Sequence, residues 1–304
     1  MSKSKLIERW ELDVNLYYAF NQINQLLTKG GKLTLKSVPL DLIDGKLDVR
    51  GLKLNGNIIK KLDVQHADFS FSSFDKCWIE KSSFNNCYFE KVDFSHFSDH
   101  KNVFHSCVFK DCKFNYTALG YDGTKFSTCI FENCTFTKAI FSRPEFVDII
   151  FKNCRLKAID FNASSFENCF FEGELNDVWF RGDFPLQSDY MIFGKPKKNE
   201  MKNVSFEKAY FRDLTFSDNC DLSTVKIKNF DKYYRFNRWK ERLLFLESNI
   251  HNWSEKEKYE AGVFVSIYMV HAQNQDWYIF NIEDVERDYG KEVAFKIINK
   301  LSEF

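Results

Sequence analysis

An apolar residue returns at every fifth position through most of the middle of this chain. From Leu54 the series runs Ile59, Val64, Phe69, Phe74, Ile79, Phe84, Phe89 and Phe94, breaks at Asp99, and continues with Phe104, Phe109, Phe114 and Leu119. A two-residue insertion within Gly120–Gly123 moves the frame, which resumes at Phe126, Phe131, Phe136, Phe141, Phe146, Phe151, Leu156, Phe161, Phe166 and Phe171. Phe206, Phe211, Phe216, Leu222 and Ile227 form a third run. Of these 29 positions, 28 are apolar and 20 are Phe. A period of five fits neither the 3.6 residues of a helical turn nor the 2 of a flat strand, so the chain must turn a corner once per repeat. It has to coil.

Two residues before each of these positions stands a small or medium residue, such as Ala67, Ser72, Ser82, Ala139, Ser164 or Ala209. Residues i and i−2 of an extended segment share a face, so both point inward, and the mostly polar remainder of each repeat faces out. All nine cysteines, Cys77, Cys87, Cys107, Cys112, Cys129, Cys134, Cys154, Cys169 and Cys220, occupy this i−2 position. They read as small buried hydrophobes. Metal ligation would need them to converge, whereas neighbours five apart project from different walls of a coil.

The pattern resembles the pentapeptide-repeat family, whose consensus is Ala, Asp or Asn, Leu or Phe, then two polar residues. His66-Ala67-Asp68-Phe69-Ser70, Val92-Asp93-Phe94-Ser95 and Cys220-Asp221-Leu222-Ser223-Thr224 are close matches. The resemblance implies a right-handed quadrilateral β-helix with four repeats per coil. On that basis the repeats make about seven coils, a rod about 34 Å long at the roughly 4.8 Å strand spacing. Its ends need caps, because an open coil exposes an apolar interior and unpaired backbone. Residues 51–230 are assigned to the β-helix, interrupted by a loop over 172–203. Residues 1–50 form an N-terminal helix and lead-in, and residues 231–304 a helical C-terminal module.

In the N-terminal region, Leu6, Trp10, Tyr17, Phe20, Ile23 and Leu27 follow helical spacing over residues 5–29, and Gly30-Gly31 ends the helix. Its expected role is to plug the mouth of the rod. After Ile227 the period turns helical. Phe236, Trp239, Leu243, Leu246 and Ile250 form one stripe. Ser254 and Glu257 make a capping box for a second helix carrying Val263, Ile267 and Val270, and Val285, Tyr289, Val293, Ile297 and Leu301 mark a third. This module is open to three roles: a homodimer contact through 231–304, a cap, or the seat of an activity of its own.

Recognisable chemistry is missing from the sequence: it holds no phosphate-binding glycine loop, Gly-x-Ser-x-Gly elbow, His-Glu-x-x-His pair or Cys-x-x-Cys pair. His96, His100 and His105 lie near Asp93 and Asp99 at no standard metal spacing. No catalytic, cofactor or metal residue is assigned, and the chain is read as a non-enzyme. With 43 Lys+Arg against 43 Asp+Glu, charge argues against nucleic acid, although Lys232, Arg235, Arg238 and Lys240 alternate with Tyr233, Tyr234, Phe236 and Trp239. Met1–Phe20 offers no signal-peptide core, and the longest apolar stretch, Ala261–Ala272, falls short of the roughly 20 residues that span a bilayer. A soluble cytoplasmic protein is expected.

The working surface is sought where the repeat fails, since loops leaving a rigid scaffold carry function. The 172–203 segment holds Trp179, Phe180, Phe184, Tyr190, Met191, Ile192 and Phe193 with Lys195, Lys197 and Lys198. Aromatics beside Lys suit an interaction anchor, and equally suit packing on the rod's wall or under the helical tail. The function expected is a non-catalytic protein–protein interaction scaffold of unidentified partner. The resemblance also implies an alternative, a DNA-mimicking binder of type II topoisomerase (gyrase) that gives fluoroquinolone tolerance. Such mimicry needs a strongly negative surface, whereas residues 51–230 hold 24 Lys+Arg and 24 Asp+Glu. An unrecognised activity in the C-terminal module is the remaining alternative.

Overall fold

Four repeats to a turn bring residues 20 apart into register, and the strands pair in that register. Ile58–Lys60 runs parallel to Trp78–Glu80, and Ser83–Asn85 to Val103–His105. Across the insertion the offset becomes 22, so that Val103 pairs with Lys125 and Val108 with Ile130. The computed structural model, which describes residues 2–34, 36–228 and 232–304, is a β-solenoid of about seven turns with helices at both ends. Each coil has four walls. The inward columns are Ile59, Ile79, Asp99, Leu119, Phe141 and Phe161 on the first wall and Val64, Phe84, Phe104, Phe126, Phe146 and Phe166 on the second. Phe69, Phe89, Phe109, Phe131, Phe151 and Phe171 line the third, and Leu54, Phe74, Phe94, Phe114, Phe136 and Leu156 the fourth.

In-register stacking lets identical rings lie flat on one another. Along the third wall, centroids from Phe69 to Phe171 are 4.7–5.2 Å apart at interplanar angles of 4–11°. Rings of adjacent walls meet edge to face, as Phe109 does Phe114 at 5.7 Å. Each aromatic pair adds about 0.5–1.5 kcal/mol beyond area burial. The corners oppose this gain. From Lys61 to Asn168, the corner residue of each repeat holds a left-handed φ of 49–64°, a costly conformation without glycine. Coil stacking offsets it by pairing the corner N–H, as Asn86 N donates to His105 O at 2.9 Å and Lys101 N to Tyr121 O at 2.7 Å.

The segment expected as a loop over 172–203 is mostly not one. Phe170–Arg181 is a continuous strand that pairs with Leu156–Asn162 on one side and Ser205–Ser217 on the other. It carries the coil onward with one residue deleted, so Leu175 pairs with Leu156 and Phe180 with Phe161 at an offset of 19. Gly173 absorbs the deletion at φ +103°, its would-be Cβ only 3.1 Å from Asn153 Cα. Met201 restores the second wall beneath Phe166, buried and flanked by the bridge from Glu167 to Lys202. Residues 182–199 alone leave the coil.

At the N-terminus the single helix expected over 5–29 is two, α1 (Lys3–Leu12) and α2 (Val14–Lys29). Asp13 between them accepts from Asn15 N and so caps the second. Ala19, Ile23 and Leu27 bury, Trp10 Nε1 donates to Arg50 O at 2.8 Å, and Arg9 and Arg50 share the Asp48 carboxylate. Burial would raise the Asp48 carboxyl, and the two guanidinium groups outweigh it and hold it well below the usual range.

Helix α3 (Asp189–Phe193) lies in the excursion from the coil. The C-terminal module adds α4 (Trp239–Asn249), α5 (Glu255–Ala272), α6 (Ile282–Tyr289) and α7 (Lys291–Glu303), with a strand pair Tyr233–Phe236 and Tyr278–Asn281. The third helix expected there is thus two, broken at Gly290. The module closes the coil with polar groups as well as rings. Asn281 Nδ2 donates to Phe211 O at 3.1 Å, Gln275 exchanges hydrogen bonds with the Cys220 backbone, and Tyr233 stacks on Phe211 at 4.0 Å. The boundary residues Phe230 and Asp231 lie outside the described residues.

Candidate interaction face

The excursion from Gly182 to Asn199 lies down on the rod at the other place where the repeat is irregular. Gly120 adopts φ +92° with its would-be Cβ 2.6 Å from Pro144 Cδ, so the inserted turn folds against the next coil and projects Tyr121 outward. Phe193 packs edge-on against Tyr121 at 5.2 Å, and Phe184 meets Phe193 at 5.5 Å and Tyr190 at 5.8 Å. Arg143 Nη1 donates to Lys195 O at 3.3 Å, and Lys197 reaches Glu167 at 3.6 Å. Asp183 beside Tyr190 pushes the phenol up to about 12.

The candidate residues therefore separate. Phe180 is not a surface residue: it is fully buried in the first wall, stacked between Phe161 at 5.2 Å and Phe216 at 5.5 Å. Phe184 is buried as the root of the excursion. Trp179 belongs to the junction with the helical module, lying under Arg181 and edge-on to His271 of α5 at 5.2 Å. Tyr190 and Phe193 are half-buried, and Lys195, Lys197 and Lys198 are exposed. What the excursion shows to solvent is Leu186 at 61%, Met191 at 91% and Ile192 at 68% beside those lysines. Leu186 escaped notice because it carries no periodic or aromatic signal. The docking partners Tyr121 and Arg143 were signalled only by the insertion at Gly120–Gly123.

The histidines near Asp93 and Asp99 do not converge. His96 pairs with Asp75 at 3.0 Å, His100 stacks on Trp78 at 3.7 Å, and His105 bonds Ser127 on another wall. Among the described residues no three His, Cys, Asp or Glu side chains gather as metal ligands. Asp99 points inward and is fully buried, accepting from Asn102 Nδ2 at 2.5 Å and Gly120 N at 2.9 Å. Burial pushes its carboxyl up to about 6. Its function in the fold is to hold the inserted turn.

The alternating basic segment of the C-terminal module is engaged internally. Lys232 pairs with Glu283 at 2.6 Å, Arg235 donates to Val225 O at 2.7 Å, and Arg238 lies over the Phe304 ring at 4.3 Å.

All nine cysteines are free and buried. Within the columns each thiol donates to a carbonyl of the preceding coil, as Cys112 does to Phe89 O at 3.1 Å and Cys134 to Phe109 O at 3.3 Å. Desolvation pushes the Cys87, Cys129, Cys134 and Cys154 thiols well up. Four five-residue repeats per coil, an i−2 thiol inside and a left-handed corner in every repeat decide the fold. The chain is a β-solenoid of five-residue repeats. Similar solved structures include QnrB1, a plasmid-mediated fluoroquinolone resistance protein, at 14% identity and TM-score 0.41 over 60% of this chain and 93% of that one. HetL, a pentapeptide repeat protein involved in heterocyst differentiation regulation from the cyanobacterium Nostoc, is 11% identical at TM-score 0.18 over 60% and 90%. No family model and no curated protein sequence matches this chain. No helix among the described residues is long and apolar enough to cross a membrane.

Proposed function

We propose that this repeat scaffold is a non-catalytic protein–protein interaction module, and that its partner is seated on the excursion docked against the first and second walls. The observation that carries this is the tip: Leu186, Met191 and Ile192 stand exposed on a segment whose root is anchored by Phe184, Phe193 and Arg143. Apolar side chains held out on a fixed base, followed in sequence by the exposed Lys195, Lys197 and Lys198, suit the desolvated centre and charged rim of an interface. Replacing Met191 and Ile192 together by Asp should leave the melting temperature unchanged and abolish capture of the protein partner from a native extract. An unchanged set of captured proteins would overturn this reading.

A second contact surface is favoured by α5. The helix is apolar on both sides: Ala261, Phe264, Val265 and Ala272 face the module's core, while Tyr259, Ile267 and Val270 are 74%, 51% and 71% exposed. A helix apolar all round belongs in an interior. The stripe expected from Val263, Ile267 and Val270 is thus the outward one, and we assign it to a homodimer contact. Light scattering should report a dimer that Ile267→Glu with Val270→Glu converts to a monomer. A monomeric native chain would contradict it.

A further inference from the structure

Outward charges on this solenoid are stacked in two different ways. On the third wall, Glu90, Lys110, Glu132, Lys152 and Glu172 follow one another in register on successive coils, so each charge lies beside its opposite. Lys152 sits 2.8 Å from Glu132 and Lys110 3.9 Å from Glu90. At the corner between the first and second walls the sign repeats instead. Lys61, Lys81 and Lys101 hold the same left-handed corner position on three successive coils, and all three are exposed. Lys60 adds a fourth ammonium beside the first.

Glu80 answers part of this charge. It pairs with Lys81 and, at 3.0 Å, with Lys60, and these bonds hold its carboxyl down to about 2. Lys61 and Lys101 take part in no ion pair among the described residues. Like charges repeated at the roughly 4.8 Å strand spacing work against stacking the coil. The third wall demonstrates that the same scaffold accommodates alternation, so the corner's repetition is not imposed by the fold. Past Asp122 and Arg143 the corner leads to Lys195 of the docked excursion, whose carbonyl Arg143 holds.

We infer that this lysine corner seats an acidic, extended polypeptide segment of the protein partner, an inference that rests on the scaffold reading above. A run of Glu and Asp laid along the corner turns a carboxylate toward it about every 6.6 Å, since successive side chains alternate, a spacing that flexible lysines one coil apart can reach. Nucleic acid fits less well. The three exposed lysines offer no bidentate guanidinium fork of the kind that suits phosphate, the corner's Arg143 being engaged on Lys195 O, and the exposed aromatic of that wall, Trp78, has one face taken by His100 at 3.7 Å.

The test is fluorescence anisotropy of the full chain with a labelled peptide of about a dozen Glu, Asp and Gly residues. The native chain should bind it, and more weakly as salt rises. Replacing Lys61, Lys81 and Lys101 together by Gln should weaken binding about tenfold, three exposed pairs of modest worth each, and should not lower the melting temperature. Replacing Lys110 and Lys152 by Gln on the third wall should leave binding unchanged. The inference is overturned if the native chain ignores the peptide, if the third-wall variant loses as much, or if a single-stranded oligonucleotide of equal length binds tighter. None of these outcomes bears on the Met191 and Ile192 capture, which decides the scaffold reading separately.

Discussion

The coil interior and the excursion from Gly182 to Asn199 both use aromatic rings, and they use them in opposite ways. In the interior each ring repeats 20 or 22 residues later, so Phe131 finds Phe109 above and Phe151 below within 5.2 Å. In the excursion Phe184, Tyr190 and Phe193 repeat nothing, cluster locally, and meet a ring of the rod at Tyr121. Periodic aromatics are held by the whole column, whereas aperiodic ones are held by a few local neighbours. The first arrangement builds a rigid body and the second leaves apolar groups at the surface.

The comparison breaks most severely if an interior position tolerates charge. Phe151→Asp places an unpaired carboxylate in a column of rings and should give insoluble or unfolded protein. Soluble expression with native melting would refute the coil interior. Phe151→Ala should cost about 3–5 kcal/mol in chemical denaturation. Phe193→Ala, half-buried against Tyr121 and Phe184, should cost only about 1 kcal/mol. Equal losses would mean that the excursion is as integral as the column.

Asp99 sharpens the contrast from inside. Burial pushes its folded carboxyl up to about 6 from an ordinary 3.8. A raised carboxyl favours the folded state fully below the ordinary value and ceases to do so as pH rises through the folded one. Relative to Asp99→Asn, the native chain should therefore lose about 3 kcal/mol between about pH 3.5 and pH 7. A pH-independent difference would show that the carboxyl is not sealed in the coil.

Most of the solenoid was legible because the five-residue period marks the inward positions, the i−2 cysteines among them, and the resemblance to pentapeptide repeats implies four repeats per coil, from which the coil count follows. Legibility failed where counting failed. Deleting one residue at Gly173 disguised Leu175 and Phe180 as loop residues, and a Met at position 201 hid the second wall's continuation. Helix boundaries at Asp13 and Gly290 were missed because apolar spacing runs on across a cap residue or a left-handed glycine. The interaction face was legible only as a region. Which of its aromatics face solvent depends on Tyr121 and Arg143, brought there by the coil from 50 or more residues away in sequence.

Thiol alkylation tests the contrast between sealed column and open excursion most directly, using Ile192→Cys as an added thiol at a 68% exposed position. The account predicts that under native conditions the new thiol reacts at once while the nine natural cysteines remain protected, and that all ten react in denaturant without reductant. Rapid native labelling of Cys112 or Cys134, or a new thiol as slow as the natural nine, would contradict it.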